Sequence, residues 1–214
     1  MLRGGAFKPR TSPYSFQGLG RAGLEIMRAV ADELEMGVVT EALAVEDVEP
    51  VAELADMIQI GARNMDNLAL LERAAATGLP ILLKRGPTAT IDELLHAADS
   101  ILAAGNHHVV LCERGSRTFE SSTRNSLDIA AVPELLLRTE LPIMVDPSHG
   151  TGRADLVTPA AVAGVAAGAD GILVEVHPDP SRALSDGDQS LSTAAFASFM
   201  EKLRDMALAV GRTL

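Results

Sequence analysis

The segment LPILLKRGPTATIDELLHAADSILAAGNHHVVLCERG, residues 79–115, decides the fold class. It contains two short runs, ILLK at 81–84 and VVLC at 109–112, that are apolar at successive rather than alternating positions. Such runs are typical of strands covered on both faces, as in parallel sheets. Residues 91–104 between them have the pattern of an amphipathic helix, and Gly105 is a suitable helix stop. The segment therefore predicts a β–α–β unit.

The same order of strand and helix continues along the whole chain. The predicted strands are Met1–Lys8, Gly37–Ala42, Met57–Ala62, Ile81–Arg85, Val109–Glu113, Pro142–Asp146 and Gly171–Val176. The predicted helices are Ala22–Glu35, Val48–Ala55, Asn67–Thr77, Ile91–Ala104, Ala130–Thr139, Pro159–Ala167 and Thr193–Ala209. Glycines expected to end helices are Gly37, Gly78, Gly105 and Gly168. Unbroken alternation predicts one α/β domain over residues 1–214, with parallel strands and right-handed crossovers.

The number of strands leaves two architectures open. Seven β/α units are predicted, whereas a closed (β/α)8 barrel has eight. An open doubly wound sheet accepts seven, but the glycine-rich dinucleotide fingerprint of the Rossmann type does not follow the first predicted strand.

Composition excludes several classes of function. The 214 residues are 47% hydrophobic, yet no apolar run reaches the roughly 18–20 residues of a membrane span, and residues 1–10 lack the features of a secretion signal. The net charge of −11 argues against nucleic acid or an anionic membrane as a partner. The single cysteine, Cys112, fits a reducing compartment, so we expect a cytoplasmic protein.

Cationic residues follow several predicted strands. They are Lys8, Arg10, Arg63, Lys84, Arg85 and Arg114. A single such residue is usually a solvated loop charge, but in a parallel barrel all of these strand ends open onto one face. Converging cations repel one another unless an anion neutralises them, and arginine forks match phosphate and carboxylate oxygens. The pattern therefore favours a site for anions.

Acidic and imidazole groups follow the last two strands. His149, Glu175 and Asp186 can face one point if the strands are neighbours. One imidazole and two carboxylates suit Mn, Fe, Co or Zn, although a histidine near a strand end is more often structural. Spacing alone leaves both interpretations open.

Seven blocks of the sequence resemble the short bacterial and archaeal type of 3-deoxy-D-arabino-heptulosonate 7-phosphate (DAHP) synthase. They are RGGAFKPRTSPYSFQGLG (3–20), QIGARNM (59–65), LLKRG (82–86), CERGSRTFE (112–120), DPSHGTGR (146–153), VEVHPDP (174–180) and ALSDGDQSL (183–191). The resemblance implies a (β/α)8 barrel enzyme of the shikimate pathway to aromatic amino acids. It also implies a metal-dependent condensation of phosphoenolpyruvate with erythrose 4-phosphate, which releases phosphate.

The resemblance also implies roles for individual residues. Residues expected around phosphoenolpyruvate are Arg3, Lys8, Arg63, Lys84 and Arg114, with the acid Glu41 organising the pocket. The stretch Lys8, Pro9, Arg10 and Thr11 is expected to meet the aldehyde substrate. The expected metal ligands are His149, Glu175 and Asp186, and the expected catalytic residues are Lys8, Lys84, Arg114 and His149.

One family feature has no counterpart in this sequence. The family's fourth metal ligand is a cysteine in a Gly-Pro-Cys context on the first barrel strand, and the chain contains no such motif. Cys112 belongs to a different block and is expected to be a core residue. The simplest hypothesis is that the first strand and helix of the barrel are missing through a misplaced start or a truncation. If the reading frame upstream of Met1 encodes no Gly-Pro-Cys segment, the misplaced start is ruled out.

Two alternatives to DAHP synthesis are considered. The sister enzyme, 3-deoxy-8-phosphooctulonate synthase, uses arabinose 5-phosphate and usually has an Ala-Asn-Arg-Ser type of sequence where this chain has Lys8-Pro9-Arg10-Thr11. The second alternative is a non-catalytic paralogue that binds or regulates a partner enzyme. The resemblance further implies a homodimer or homotetramer.

Overall fold

The computed structural model describes residues 1–8, 14 and 16–213. The chain forms two compact units, Met1–Gly86 with Asp92–Val110, and Pro87–Ile91 with Leu111–Leu214. The predicted single domain over residues 1–214 stays a prediction.

The first unit is built from β–α repeats whose described strand pairings are all parallel. Its elements are β1 (Leu2–Gly4), α1 (Arg21–Glu33), β2 (Val38–Ala42), α2 (Val48–Ala52), β3 (Met57–Ile60), α3 (Leu68–Ala75), β4 (Ile81–Lys84) and all but the first residue of α4 (Ile91–Ala103). Strand β1 pairs with β2, β2 with β3, and β3 with β4. The strands β2 to β4 are largely buried, because helices cover what would otherwise be exposed apolar faces.

The second unit continues the pattern. Its elements are β5 (Val109–Glu113, from Leu111 on), α5 (Ala131–Arg138), β6 (Ile143–Val145), α6 (Pro147–Thr151), α7 (Ala154–Ala166), β7 (Gly171–Ile172), β8 (Val176–His177), β9 (Leu191–Ser192) and α8 (Thr193–Ala209). Strand β6 pairs in parallel with both β5 and β7, and β8 pairs in parallel with β9. Helices α7 and α8 share a core formed by Val157, Ala161, Val165, Leu191, Phe199, Leu203 and Ala207.

Most predicted elements are present with shorter ends, and four features differ. Helix α7 begins at Ala154, not at Pro159, so the proline lies inside the helix and not in its first turn. The predicted strand Gly171–Val176 is split, because the Glu175 amide donates to the Ser148 hydroxyl instead of continuing the ladder. Helix α6 and strand β9 were not predicted.

Three of the four predicted glycine stops take the left-handed conformation that favours glycine. Their φ values are 71° for Gly78, 92° for Gly105 and 107° for Gly168. The prediction for Gly37 was wrong, because the positive φ after α1 is at Glu35 (52°). Within the described residues, no helix is long and apolar enough to cross a membrane.

Candidate active site

Predicted cationic residues of the first unit act electrostatically on one acid, Glu41. Arg3 is on β1, Lys8 follows it, and Lys84 ends β4. The positive charges of Lys84, Arg3 and Lys8 each lower the pKa of Glu41. Lys84 is only 4% exposed. Arg63, just after β3, is exposed.

The position of Glu41 is fixed by its neighbours on β3. Glu41 and Gln59 are directly opposite in the β2–β3 register, and Gln59 Nε2 donates to Glu41 Oε2 at 3.0 Å. The other carboxylate oxygen lies over Gly61, where any Cβ would collide with it. Burial raises the pKa of Glu41 and outweighs the opposing effects of Lys84, Arg3, the Gln59 bond and Lys8. Gln59 Oε1 is buried and has no hydrogen-bond partner within the described part of the chain.

Arg114 is the predicted cation of the second unit. It directly follows β5 and is 7% exposed. Burial lowers the pKa of its guanidinium, while the carboxylate of Asp146 acts in the opposite direction. A buried guanidinium at a strand end can bind an anion without first losing a full hydration shell.

His149 lies on the short helix α6 and is oriented by Asp146. Asp146 is completely buried, and its Oδ1 accepts from the His149 backbone amide at 2.9 Å. Its Oδ2 lies 2.8 Å from His149 Nδ1. Because a carboxylate can only accept, we assign the imidazole proton to Nδ1, which leaves a lone pair on Nε2. The carboxylate of Asp146 therefore holds His149 in the tautomer that can bind a metal ion through Nε2.

Glu175 faces the Nε2 side of this imidazole. Its Oε1 lies 3.6 Å from His149 Nε2, and its Oε2 accepts from Gln189 Nε2 at 2.8 Å. Metal bonds to imidazole nitrogen and carboxylate oxygen are about 2.0–2.2 Å long, so one ion can contact two atoms at this separation. The donor atoms of His149 and Glu175 thus fit a divalent ion.

Asp186 has a different immediate partner. Its backbone is left-handed (φ 57°), and its Oδ1 lies 3.1 Å from Nη1 of Arg124. Among the described residues, no group of three or more His, Cys, Asp or Glu side chains is arranged to hold one metal ion. The structure therefore brings His149 and Glu175 together, and the predicted three-residue ligand set stays a prediction.

Several site residues were missed by sequence reasoning or lie outside the described part of the chain. Pro9, Arg10 and Thr11 are outside the described residues. The orienting role of Asp146 was missed, although its position before Pro147, typical of a helix N-cap, could have revealed it. Gln59, Arg124 and Gln189 gave no signal, because their roles depend on partners far away in the sequence. Cys112 is buried, as expected of a core residue.

Comparisons with known proteins agree with this geometry. Residues 1–210 match the model of the DAHP synthetase I family. The phospho-2-dehydro-3-deoxyheptonate aldolase of Thermotoga maritima is 56% identical over 99% of this chain and 62% of its own length. A 2-dehydro-3-deoxyphosphooctonate aldolase of Acidithiobacillus ferrooxidans is 33% identical over 83% of this chain and 66% of its own length.

Solved structures show the same fold. The crystal structure of the Thermotoga maritima aldolase, a DAHP synthase, has a TM-score of 0.97 at 55% identity, covering 99% of this chain and 62% of that one. A truncated form of 3-deoxy-D-arabino-heptulosonate 7-phosphate synthase from the same organism has a TM-score of 0.93 at 50% identity, covering 99% of this chain and 77% of that one. The predicted α/β barrel class is thereby confirmed.

This chain spans about three fifths of the length of the full-length relative (62%). The matched range, residues 1–210, includes both the residues around Glu41 and the residues around His149. The chain belongs to the DAHP synthetase I family.

Proposed function

We propose that the protein joins phosphoenolpyruvate to erythrose 4-phosphate, giving DAHP and inorganic phosphate as the first step of the shikimate pathway. The observation that carries the proposal is the burial of two cations at strand ends: Lys84 ends β4 and is 4% exposed, and Arg114 follows β5 and is 7% exposed. Buried cations of this kind suit a small substrate with both a carboxylate and a phosphate.

Each cationic residue has a role in this proposal. Lys84, Arg114, Arg63 and Arg3 bind the phosphate and carboxylate of phosphoenolpyruvate. Lys8 borders both substrates, and Pro9, Arg10 and Thr11 complete the contact with the aldehyde. Glu41 neutralises part of the charge of its neighbours, which holds them together before an anionic substrate arrives.

The reaction balances without an external oxidant or reductant. C3 of phosphoenolpyruvate bonds to the aldehyde carbon, whose oxygen takes a proton. Water adds to C2, and loss of phosphate from that carbon leaves the ketone of the product. Lys8, Lys84 and Arg114 stabilise the negative charge that develops, an effect worth on the order of 100-fold in turnover for one such donor.

A divalent ion, Mn, Fe, Co or Zn, would be held by His149, Glu175 and Asp186. When bound, such an ion polarises a carbonyl oxygen as a Lewis acid. Asp146 keeps the imidazole of His149 in its binding tautomer, and Gln189 holds one oxygen of Glu175, which leaves Oε1 toward His149.

A comparison of two aldehydes tests the function and its alternatives. The chain is incubated with phosphoenolpyruvate, Mn2+ and either erythrose 4-phosphate or arabinose 5-phosphate, and the products are identified by mass. We expect the seven-carbon product to form at least about tenfold faster. A faster eight-carbon product would favour the sister activity. Binding of phosphoenolpyruvate without phosphate release would favour a non-catalytic paralogue.

We also propose a homo-oligomer located in the cytoplasm. The family resemblance supports this assembly, and so do three exposed apolar side chains spaced four residues apart: Ile26 and Val30 on α1 and Leu34 directly after it. Light scattering coupled to size exclusion measures the assembly, and a mass equal to one 22.4 kDa chain would contradict it.

A further inference from the structure

The ribbon of β8 and β9 brings Gln189 beside Glu175. Val176 pairs with Leu191, and the Leu191 amide donates to the carbonyl of Glu175 at 2.8 Å. Gln189 lies two residues before Leu191, at the end of a 3-10 turn, and is only 3% exposed. The backbone therefore places the amide of Gln189 against the carboxylate of Glu175.

The partners of Gln189 fix which end of its amide is which. Its Nε2 donates to Glu175 Oε2 at 2.8 Å, and its Oε1 accepts from Arg124 Nη1 at 3.0 Å. A guanidinium can only donate and a carboxylate can only accept, so the reversed amide would face donor with donor and acceptor with acceptor. Gln189 thus has one favourable orientation.

Arg124 links this amide to Asp186. The same Nη1 that donates to Gln189 lies 3.1 Å from Asp186 Oδ1. Four side chains therefore form one continuous chain of bonds, in the order Asp186, Arg124, Gln189 and Glu175. We call these four residues the ligand strap.

The strap is also tied to the helix that carries His149. The Arg124 amide donates to the Thr151 carbonyl at 2.9 Å, and the Asn125 side chain donates to the carbonyl of His149 at 3.0 Å. Gly152 ends α6 with φ 70°, and a Cβ there would press on the Cβ of Arg124. The backbone at Arg124 is therefore fixed relative to His149.

We propose that Gln189 and Arg124 are positioning residues: Arg124 fixes the amide of Gln189, and Gln189 holds Glu175 ready to bind a divalent ion with His149. The inference rests on the divalent site of the proposed function. Glu175 Oε1 lies 3.6 Å from His149 Nε2, and the bond from Gln189 Nε2 fixes the other oxygen of that carboxylate before an ion arrives. Residues that orient metal ligands typically contribute 10- to 100-fold to metal affinity.

A matched pair of substitutions tests the role of Gln189. Gln189→Met removes the amide at nearly constant volume. Gln59→Met is the control, because Gln59 is equally buried (3%) and makes the same kind of bond to Glu41. Mn2+ affinity is measured by calorimetry on chelator-treated protein, with circular dichroism to check folding. We expect about 10- to 100-fold weaker binding in Gln189→Met and wild-type binding in Gln59→Met.

Arg124→Met separates positioning from simple charge. If Arg124 were only a nearby positive charge, its removal would tighten Mn2+ binding, because like charges repel. The strap predicts weaker binding instead. The side chain of Arg124 is 43% exposed, so we expect this variant to fold even if Gln189→Met does not.

The outcomes distinguish this inference from the proposed function. Wild-type protein that does not bind Mn2+ would overturn the divalent site, and the strap with it. Wild-type protein that binds Mn2+, together with unchanged or tighter binding in Arg124→Met, or unchanged binding in a folded Gln189→Met, would overturn the strap alone. Equal losses in the two glutamine variants would also overturn it.

Discussion

The imidazole of His149 is held by an acid three residues earlier in the chain, Asp146, whose two carboxylate oxygens contact its backbone amide and its Nδ1. One side chain thus begins a helix and sets the tautomer of a histidine. Because Asp146 is completely buried, water does not compete for these bonds. The sequence Asp-Pro-Ser-His therefore specifies both the start of α6 and the tautomer of His149.

Asp146→Asn is expected to separate these two roles. Asparagine is as good an N-cap as aspartate, so α6 is expected to form. A neutral amide holds the Nδ1 proton less strongly, and we expect Mn2+ affinity to fall about 10- to 100-fold. Calorimetry on chelator-treated protein measures the change. Wild-type affinity in this variant would show that Asp146 does not set the state of His149.

Glu41→Gln is expected to make the protein more stable and less active. Burial raises the pKa of Glu41, so the folded state favours the neutral form more than the unfolded chain does. Above both pKa values the wild type carries the full cost of this charge, and a neutral isostere avoids it. The gain should be on the order of 1 kcal/mol at pH 8. It should disappear below the unfolded pKa of about 4.3, where the wild type is also neutral.

Thermal denaturation at pH 8 and pH 4 measures this difference. Phosphate release by the same variant should fall at pH 8, because the neighbours of Glu41 lose their counter-charge. A variant that is less stable than wild type at pH 8 and equal to it at pH 4 would show the opposite sign, and the assignment of a raised pKa would be wrong.

Gly61→Ala should displace the carboxylate of Glu41. The new methyl group would occupy the place of Glu41 Oε1, although the backbone of Gly61 (φ −68°, ψ 155°) accepts alanine. We expect a stability loss of about 1–3 kcal/mol. A misplacement of about 1 Å can reduce the rate about 100-fold, so kcat/KM for phosphoenolpyruvate should fall strongly.

Gly37→Ala is the control for this change, since its Cβ would meet only the flexible end of Met1 at close range. Kinetics and thermal denaturation are compared for the two variants. Equal kcat/KM values would mean that the place of Glu41 does not matter for the reaction.

Asp56 stabilises the first unit in a pH-dependent way. Its Oδ2 accepts from the Val38 amide and from Arg28, each at 2.7 Å, and these bonds lower its pKa, the Val38 bond most. A lowered pKa gives stability that is present above the unfolded value of about 3.9 and lost as pH falls through the folded value. Asp56→Asn should therefore lower the free energy of unfolding by about 1 kcal/mol at pH 7, a modest amount for a charged bond because the side chain is half exposed.

Asp32→Asn is the matched control, because Asp32 also pairs with Arg28 but is 66% exposed. It should change stability by less than about 0.5 kcal/mol. Urea denaturation at pH 7 and pH 3 provides the comparison. A loss in Asp56→Asn that is as large at pH 3 as at pH 7 would contradict a lowered pKa for Asp56.

The fold was predictable because its strands are buried and its helices amphipathic. Ile81–Lys84 and Val109–Glu113 carry continuous apolar runs that only strands covered on both faces tolerate. Short elements were not predictable: α6 has five residues and β9 has two, too few for any periodicity to show.

The site was predictable only in part, for a related reason. Lys84, Arg114 and Glu175 were found because the rule that strand ends carry function needs only the order of elements. The bond from Arg124 to Gln189 joins residues 65 positions apart in loops, and its existence depends on the conformation of both segments. No local sequence pattern predicts such a contact.

Phosphate release measured against added Mn2+ tests the central claim most directly. Chelator-treated wild-type protein and His149→Ala are supplied with phosphoenolpyruvate and erythrose 4-phosphate, and the rate is followed as Mn2+ increases. We predict no release without metal, a saturable rise in the wild type, and at least about 100-fold lower rates in His149→Ala at every concentration. Metal-independent release, or equal activation of the two proteins, would contradict this prediction.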